Sequence, residues 1–150
     1  MESGYVPRKA IELFYVNAKQ IVAVPILDSK KLSPAAILIE CPFNPEMLGE
    51  EIIQMRNSFL ADSLLIKEDA KDYWLLPKGI RSWSKFQKSS SLLAVELNDD
   101  KFSIFRYYKE KTGSAFFVES ETPNLVLSIE TSPQALGEAV LEQFQCIRSN

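Results

Sequence analysis

The sequence predicts an α+β protein with a mainly antiparallel sheet of about six or seven strands and two principal helices on one face. Two observations predict this class. Several β-branched and aromatic runs are separated by short polar turns, which is typical of antiparallel strands. In addition, a strand-to-helix motif occurs twice: residues 37–53 read ILIECPFNPEMLGEEII, and residues 125–141, 88 positions later, read LVLSIETSPQALGEAVL.

Each copy of the motif has the same helix-starting chemistry. A polar N-cap, Asn44 or Ser132, precedes a proline at the first helical position. The side chain of such a cap accepts a hydrogen bond from the first turn, and proline suits a position whose N–H has no partner in the helix. The sequence therefore predicts a single domain, 1–150, whose pseudo-repeat halves span about 8–60 and 92–148.

Apolar residues recur at helical spacing after each proline. The predicted core stripes are Leu48, Ile52, Met55 and Phe59 in the first helix and Leu136, Val140, Phe144 and Ile147 in the second. Both helices also contain a glycine, Gly49 or Gly137, although glycine costs about 1 kcal/mol against alanine inside a helix. Its repetition predicts close packing against a strand; the alternative is a glycine that is merely tolerated in the first turns.

The first half begins with two strand-like runs. Residues 11–16 and 21–26 flank a polar turn and predict a hairpin. Pro25 cannot donate a ladder hydrogen bond, so the second strand is expected to lie at an edge or to end there. Residues 36–41 then form the third predicted strand, which leads to the first helix.

The segment between the two halves is more polar. The charge run at 67–72 predicts a solvated loop or helix end. Residues 73–76 are expected to form a short strand closed by Pro77, and residues 82–88 a short helix capped by Ser82. The second half then contains four predicted strands, at 92–97, 102–108, 115–119 and 125–130.

If these later strands alternate in direction, the turn at 98–101 and the loop at 119–123 lie at one end of the sheet. That end would carry four acids, and the opposite end would carry a set of lysines. The expected acids are Asp99, Asp100, Glu119 and Glu121; the lysines are Lys88, Lys109 and Lys111. The functional interpretation is an acidic patch for a basic protein partner. The alternative is that these are ordinary solvated turn residues.

A second candidate segment, 78–88, interleaves cations with aromatic rings, a composition that single-stranded nucleic acid favours. The residues of this alternative nucleic-acid site are Lys78, Arg81, Trp83, Lys85 and Lys88. On a short helix, however, Trp83 and Phe86 share a face, and a face of that kind also suits a core. The two aromatic residues are then structural, and the basic residues are solvated.

Composition excludes several kinds of chemistry. The chain has no histidine, so it lacks Ser-His-Asp and Cys-His nucleophiles and His-ligated metals. Cys41 and Cys146 are expected to be buried and reduced. We expect no enzyme activity, no cofactor and no metal site. The net charge of −3 disfavours a nucleic-acid partner, and the absence of a signal-like or membrane-spanning run predicts a cytoplasmic protein.

From residues 74–97 (WLLPKGIRSWSKFQKSSSLLAVEL) to residues 132–145 (SPQALGEAVLEQFQ), the chain resembles a family of small bacterial immunity proteins of contact-dependent growth inhibition systems. The similarity covers about half the chain and is clearest in its Gly-Ile-Arg-Ser-Trp and Leu-Gly-Glu-Ala stretches. The resemblance implies a cytoplasmic, non-enzymatic protein. Such a protein binds the toxic carboxy-terminal domain of a cognate effector, which we expect to be a nuclease, and neutralises it by covering the active site.

Overall fold

The computed structural model describes residues 8–28, 30–32, 35–60, 72–110 and 115–147. These residues form one mainly antiparallel sheet of eight strands, together with three α-helices. The strands are β1 (Lys9–Val16), β2 (Gln20–Leu27), β3 (Lys30–Lys31), β4 (Ile37–Glu40), β5 (Ser90–Leu97), β6 (Lys101–Lys109), β7 (Phe116–Val118) and β8 (Leu125–Ser128). The helices are α1 (Pro45–Leu60), α2 (Trp83–Ser89) and α3 (Pro133–Cys146). The predicted α+β class is confirmed.

The sheet has the same pairing pattern on both sides of its centre. Its main order is β3-β2-β1-β5-β6-β7, with β4 also paired to β2 and β8 also paired to β6. The central strands β1 and β5 are antiparallel and place Leu13 opposite Leu93. Each half therefore contains a hairpin, a short edge strand, a second edge strand and a helix. The two copies of the sequence motif occupy corresponding places, as β4 with α1 and β8 with α3.

Pro25 does not end its strand, contrary to one of the two outcomes predicted for it. β2 continues to Leu27 because its outer side is paired in two separate parts. β4 pairs with residues 20–23 and β3 with residues 26–27, so the proline falls between the two partners, where its missing N–H costs no ladder bond. Its carbonyl oxygen accepts a hydrogen bond from Leu32 N at 2.9 Å.

Helices α1 and α3 pack together on one face of the sheet. Their predicted stripes are confirmed as buried, except that Ile147 follows the end of α3 and is only half-buried. Leu48 and Leu136 are fully buried. This helix-side face of the sheet contributes the remaining members of the same core, among them Ile11, Leu13, Leu93, Phe102 and Ile104.

The repeated glycines pack against a helix and not, as predicted, against a strand. A Cβ atom added to Gly49 would lie 2.6 Å from the carbonyl carbon of Pro133, and one added to Gly137 would lie 2.5 Å from that of Pro45. The contacts are reciprocal because the first turns of α1 and α3 cross in antiparallel fashion. Glycine in each copy therefore allows the two helix backbones to touch.

The other face of the sheet, here called the outer face, is covered over its first half by residues 72–89. Phe86 of α2 packs on Phe14 of β1 with ring centroids 4.9 Å apart, and Tyr73 stacks on Phe14 at 5.5 Å. Residues 73–75 form a 3-10 turn instead of the predicted strand, since Tyr73 packs down onto the sheet. The predicted cap of α2 is confirmed by a hydrogen bond from Lys85 N to Ser82 Oγ. The charge run lies outside the described residues, apart from Asp72.

Both cysteines are exposed, so the prediction that they are buried was wrong. Cys41 comes directly after the last residue of β4, where the chain leaves the sheet towards α1. Cys146 ends α3 and lies outside the apolar stripe that buries Phe144. Neighbouring aliphatic residues predicted burial, but the ends of the two elements turn these side chains towards solvent.

Candidate functional site

The four predicted acids do not lie together at one end of the sheet. Asp99 and Asp100 occupy the turn before β6, as expected. Glu119, however, lies beside Arg106, to which its carboxylate is ion-paired at 3.3 Å. Arg106 is five residues from the start of β6, about 17 Å along the strand. The prediction of one four-acid cluster is therefore wrong. The acids form two groups, Asp99 and Asp100 before β6 and Glu119 and Glu121 after β7.

The reason is that β7 and β8 both pair with β6. β7 is opposite residues 107–109, and β8 is opposite residues 101–104. The loop between them is a break midway along β6 and not a strand end. Asn124 fixes this loop, because its N donates to Ile104 O at 2.8 Å and its Oδ1 accepts from Arg106 N at 2.7 Å.

Asp99 and Asp100 instead lie near the end of β8. Ile129 N donates to Asp100 O at 3.2 Å, and Arg56 of α1 donates to Asp99 O at 3.0 Å. Glu130 follows one residue later, and Glu121 is in the loop that precedes β8; both are exposed. The acids of this region therefore bracket β8.

At the opposite end of β6, two of the three predicted lysines are close together, while Lys111 lies outside the described residues. Lys109 Nζ donates to the carbonyl oxygens of Gln87 and Lys88 at 3.2 and 2.9 Å. These are among the last carbonyls of α2, where a cation is favourable. Burial lowers the pKa of the Lys109 ammonium.

The basic residues of segment 78–88 are exposed, but its aromatic rings are engaged within the protein. Phe86 is fully buried, which confirms its structural role, whereas Trp83 is 37% exposed. The Trp83 ring stacks on Phe86 at 5.7 Å and meets Tyr73 edge-on at 6.1 Å. The indole thus packs against two rings of its own chain, while more than a third of its surface stays exposed.

We expect a variant with Lys78, Arg81, Lys85 and Lys88 all replaced by glutamine to stay folded, with a melting temperature close to that of wild type. These side chains are exposed, and exposed substitutions usually change stability by less than about 0.5 kcal/mol. We also expect no salt-dependent binding of nucleic acid by wild type that the variant loses. Fluorescence anisotropy with labelled single-stranded RNA or DNA measures this. Salt-dependent binding by wild type that is lost in the variant would restore the nucleic-acid interpretation.

The structure also forms a cation-holding cluster that the sequence did not predict. Lys31 Nζ lies 3.2 Å from Glu12 Oε1 and donates to Tyr73 Oη at 3.2 Å. The same ammonium lies between 5.4 and 5.7 Å from the centroids of three rings, those of Phe14, Tyr73 and Trp83. Such contacts with ring faces stabilise a cation.

Opposing effects act on the Lys31 ammonium. Burial by itself lowers its pKa, but Glu12 and Tyr73 together outweigh burial, so the pKa is raised. The lysine therefore stays charged and attaches the two-residue strand β3 to the segment that covers the first half of the outer face. One feature of the sequence could have indicated this cluster, because Glu12 interrupts the apolar run IELFYV at 11–16.

A cleft of about 250 Å³ opens beside this cluster. Glu12, Lys31, Trp83, Gln87, Tyr107 and Phe116 contribute to its lining. Burial, followed by the charge of Glu12, raises the pKa of the Tyr107 phenol. The cleft combines aromatic faces with a carboxylate that is already paired with Lys31.

In the part of the chain that the structure describes, no group of three or more cysteine and carboxylate side chains is placed to hold a metal ion. None of the helices formed by the described residues is both long enough and apolar enough to span a membrane.

Two solved structures share this fold over nearly the whole chain. A protein of unknown function from Neisseria meningitidis matches with a TM-score of 0.65 and 14% identity, covering 99% of this chain and 100% of its own. A chain of the CdiA-CT/CdiI toxin and immunity complex from Yersinia pseudotuberculosis matches with a TM-score of 0.63 and 14% identity, covering 95% and 99% respectively. No family model and no curated protein matches the sequence.

Proposed function

We propose that this chain is a cytoplasmic, non-enzymatic immunity protein that neutralises the toxic carboxy-terminal domain of a contact-dependent inhibition effector. The observation that carries the proposal is the shared fold with a chain of a toxin and immunity complex, which extends over almost the full length of both chains. The sequence resemblance at residues 74–97 and 132–145 independently implies the same class.

The sequence also supports a binding role over a catalytic one. Without histidine, a general base that titrates near neutral pH requires a carboxylate, lysine, tyrosine or cysteine with a strongly shifted pKa. Glu12 and Glu119, two partly buried carboxylates, are instead paired with Lys31 and Arg106. An immunity protein requires no such group, because its activity consists of occupying the toxin surface.

We further propose that the toxin is a nuclease. An enzyme that holds nucleic-acid phosphates presents lysine and arginine at its active site, and a carboxylate-rich surface complements it. Asp99, Asp100 and Glu121, together with the nearby Glu130, provide carboxylates of this kind around β8.

The test is to co-express the chain with the toxin domain encoded by the neighbouring gene. Growth should be protected, the purified proteins should form a complex with a Kd in the nanomolar range, and nuclease activity in vitro should be blocked. A folded chain that neither binds nor protects would contradict the immunity function. A toxin that the chain neutralises, but that does not cleave nucleic acid when it is free, would contradict only the nuclease assignment.

A further inference from the structure

The two halves of the outer face differ in what covers them. In the first half, Leu38 of β4 packs against a buried cluster that includes Ile80 and Phe86 from the segment joining the halves. In the repeated motif, the residue that corresponds to Leu38 is Val126 of β8. Val126 is not part of that cluster and is 49% exposed.

Val126 belongs to a strip of apolar side chains on this outer face. The strand register places it opposite Ser103, and places Val118 opposite Tyr107, with Phe105 between the two on β6. Val118 is 38% exposed, whereas Phe105 and Tyr107 are half-buried. In the first half, the corresponding positions of β2 are aliphatic and fully buried under the joining segment.

Acids stand at one end of the strip and along its edge. Glu130 follows β8 beside the Asp99–Asp100 turn, where Asp100 O accepts a hydrogen bond from Ile129 N, and Glu121 lies in the loop between Val118 and Val126. All four acids are exposed, and none belongs to an ion pair found among the described residues. An apolar strip bordered by carboxylates complements a partner that presents an apolar side chain beside cations.

We propose that this strip, formed by Phe105, Tyr107, Val118 and Val126 with its four flanking acids, is the surface that docks the toxin. The inference rests on the proposed immunity function and deepens it. The occupant is a segment of the toxin domain whose large apolar or aromatic side chain packs on Val126 and Phe105, as Ile80 and Phe86 pack on the first half. Lysine or arginine residues beside that side chain face the acids. Glu119 has no part in this contact because its carboxylate is paired with Arg106.

The apolar part is tested with Val126→Arg, measured against the toxin domain encoded by the neighbouring gene. The exposed strand position accommodates arginine. Its added bulk, and its repulsion of the cations proposed on the toxin, should raise Kd at least about 100-fold, mainly through faster dissociation. The control is Phe117→Arg, which has a similar exposure of 42% but lies on the helix-side face of the sheet next to Tyr108. It should leave Kd within about twofold of wild type.

The charged part is tested with a fourfold variant in which Asp99, Asp100, Glu121 and Glu130 become lysine. Association at low salt should slow about tenfold or more, and the salt dependence of the rate should disappear or reverse. The control changes the net charge equally at four exposed helix positions, Glu46, Glu50, Glu138 and Glu142. Since those residues lie on the far side of the sheet, the control should associate faster than the fourfold variant.

The possible results distinguish an error in the proposed docking surface from an error in the proposed immunity function. If wild type binds the toxin and both strip variants bind it as tightly as wild type, the proposed surface is wrong but the immunity function stands. Wild type that does not bind would overturn both. A change from dimer to monomer in Val126→Arg on sedimentation, with unchanged toxin affinity, would assign the strip to a second copy of the chain and also overturn the proposal.

Discussion

Replacing Gly49 or Gly137 with alanine is expected to destabilise the protein by about 3 kcal/mol or more, a cost at or above the upper end usual for overpacked sites. The added methyl group would collide with the backbone of Pro133 or Pro45. A backbone at the first turn of a helix cannot rotate away as a side chain can, so the two helices have to separate. Thermal unfolding should show a melting temperature lower by roughly 6–12 °C.

This prediction has an unusual sign, which makes it easy to check. In an ordinary helix interior, glycine to alanine stabilises by about 1 kcal/mol. The adjacent exposed substitutions Glu50→Ala and Glu138→Ala serve as controls and should change stability by less than about 0.5 kcal/mol. If Gly49→Ala or Gly137→Ala melted at or above the wild-type temperature, the close crossing of α1 and α3 would be wrong.

The second large effect is expected for Leu48→Ala and Leu136→Ala, each of which should cost about 2–5 kcal/mol. Both leucines are fully buried where the two helices cover the sheet. Truncation removes apolar contacts and leaves a cavity that the surrounding sheet cannot fill. Because the two sites correspond in the repeat, we expect their costs to be similar.

Urea unfolding monitored by circular dichroism measures these costs, and Met47→Ala is the matched control on α1. Met47 is 43% exposed and directly precedes Leu48, so its truncation should change stability by well under 1 kcal/mol. A variant of either leucine that unfolds at the same urea concentration as wild type would show that the apolar stripe is misassigned.

The relation between the halves has a consequence for function. Two copies of one strand-to-helix unit share a single core on the helix side, where their contacts are reciprocal. On the outer face the equivalence is lost, since the segment joining the halves follows α1 and nothing comparable covers the second half among the described residues. The asymmetry leaves Val118 and Val126 of the second half exposed, on the surface proposed above to dock the toxin.

The sequence determined the class of the fold and most of its elements. Strand alternation, proline at the helix starts and the polar caps act over a few residues, so they are readable without coordinates. The stripes at Leu48 and Leu136 and the cap at Ser82 were predicted on this basis and are observed. The sequence also predicted that Gly49 and Gly137 share a packing role, although it named the wrong neighbour.

Only the tertiary structure decided which distant residues meet. The placement of Glu119 depends on β7 and β8 sharing one partner strand, and the contact of Gly49 with Pro133 depends on how two helices cross. Lys31 reaches Glu12 and the rings of Tyr73 and Trp83 only because the joining segment folds over the sheet. Such contacts are fixed by strand pairing and packing between segments far apart in the chain, which local propensity does not encode.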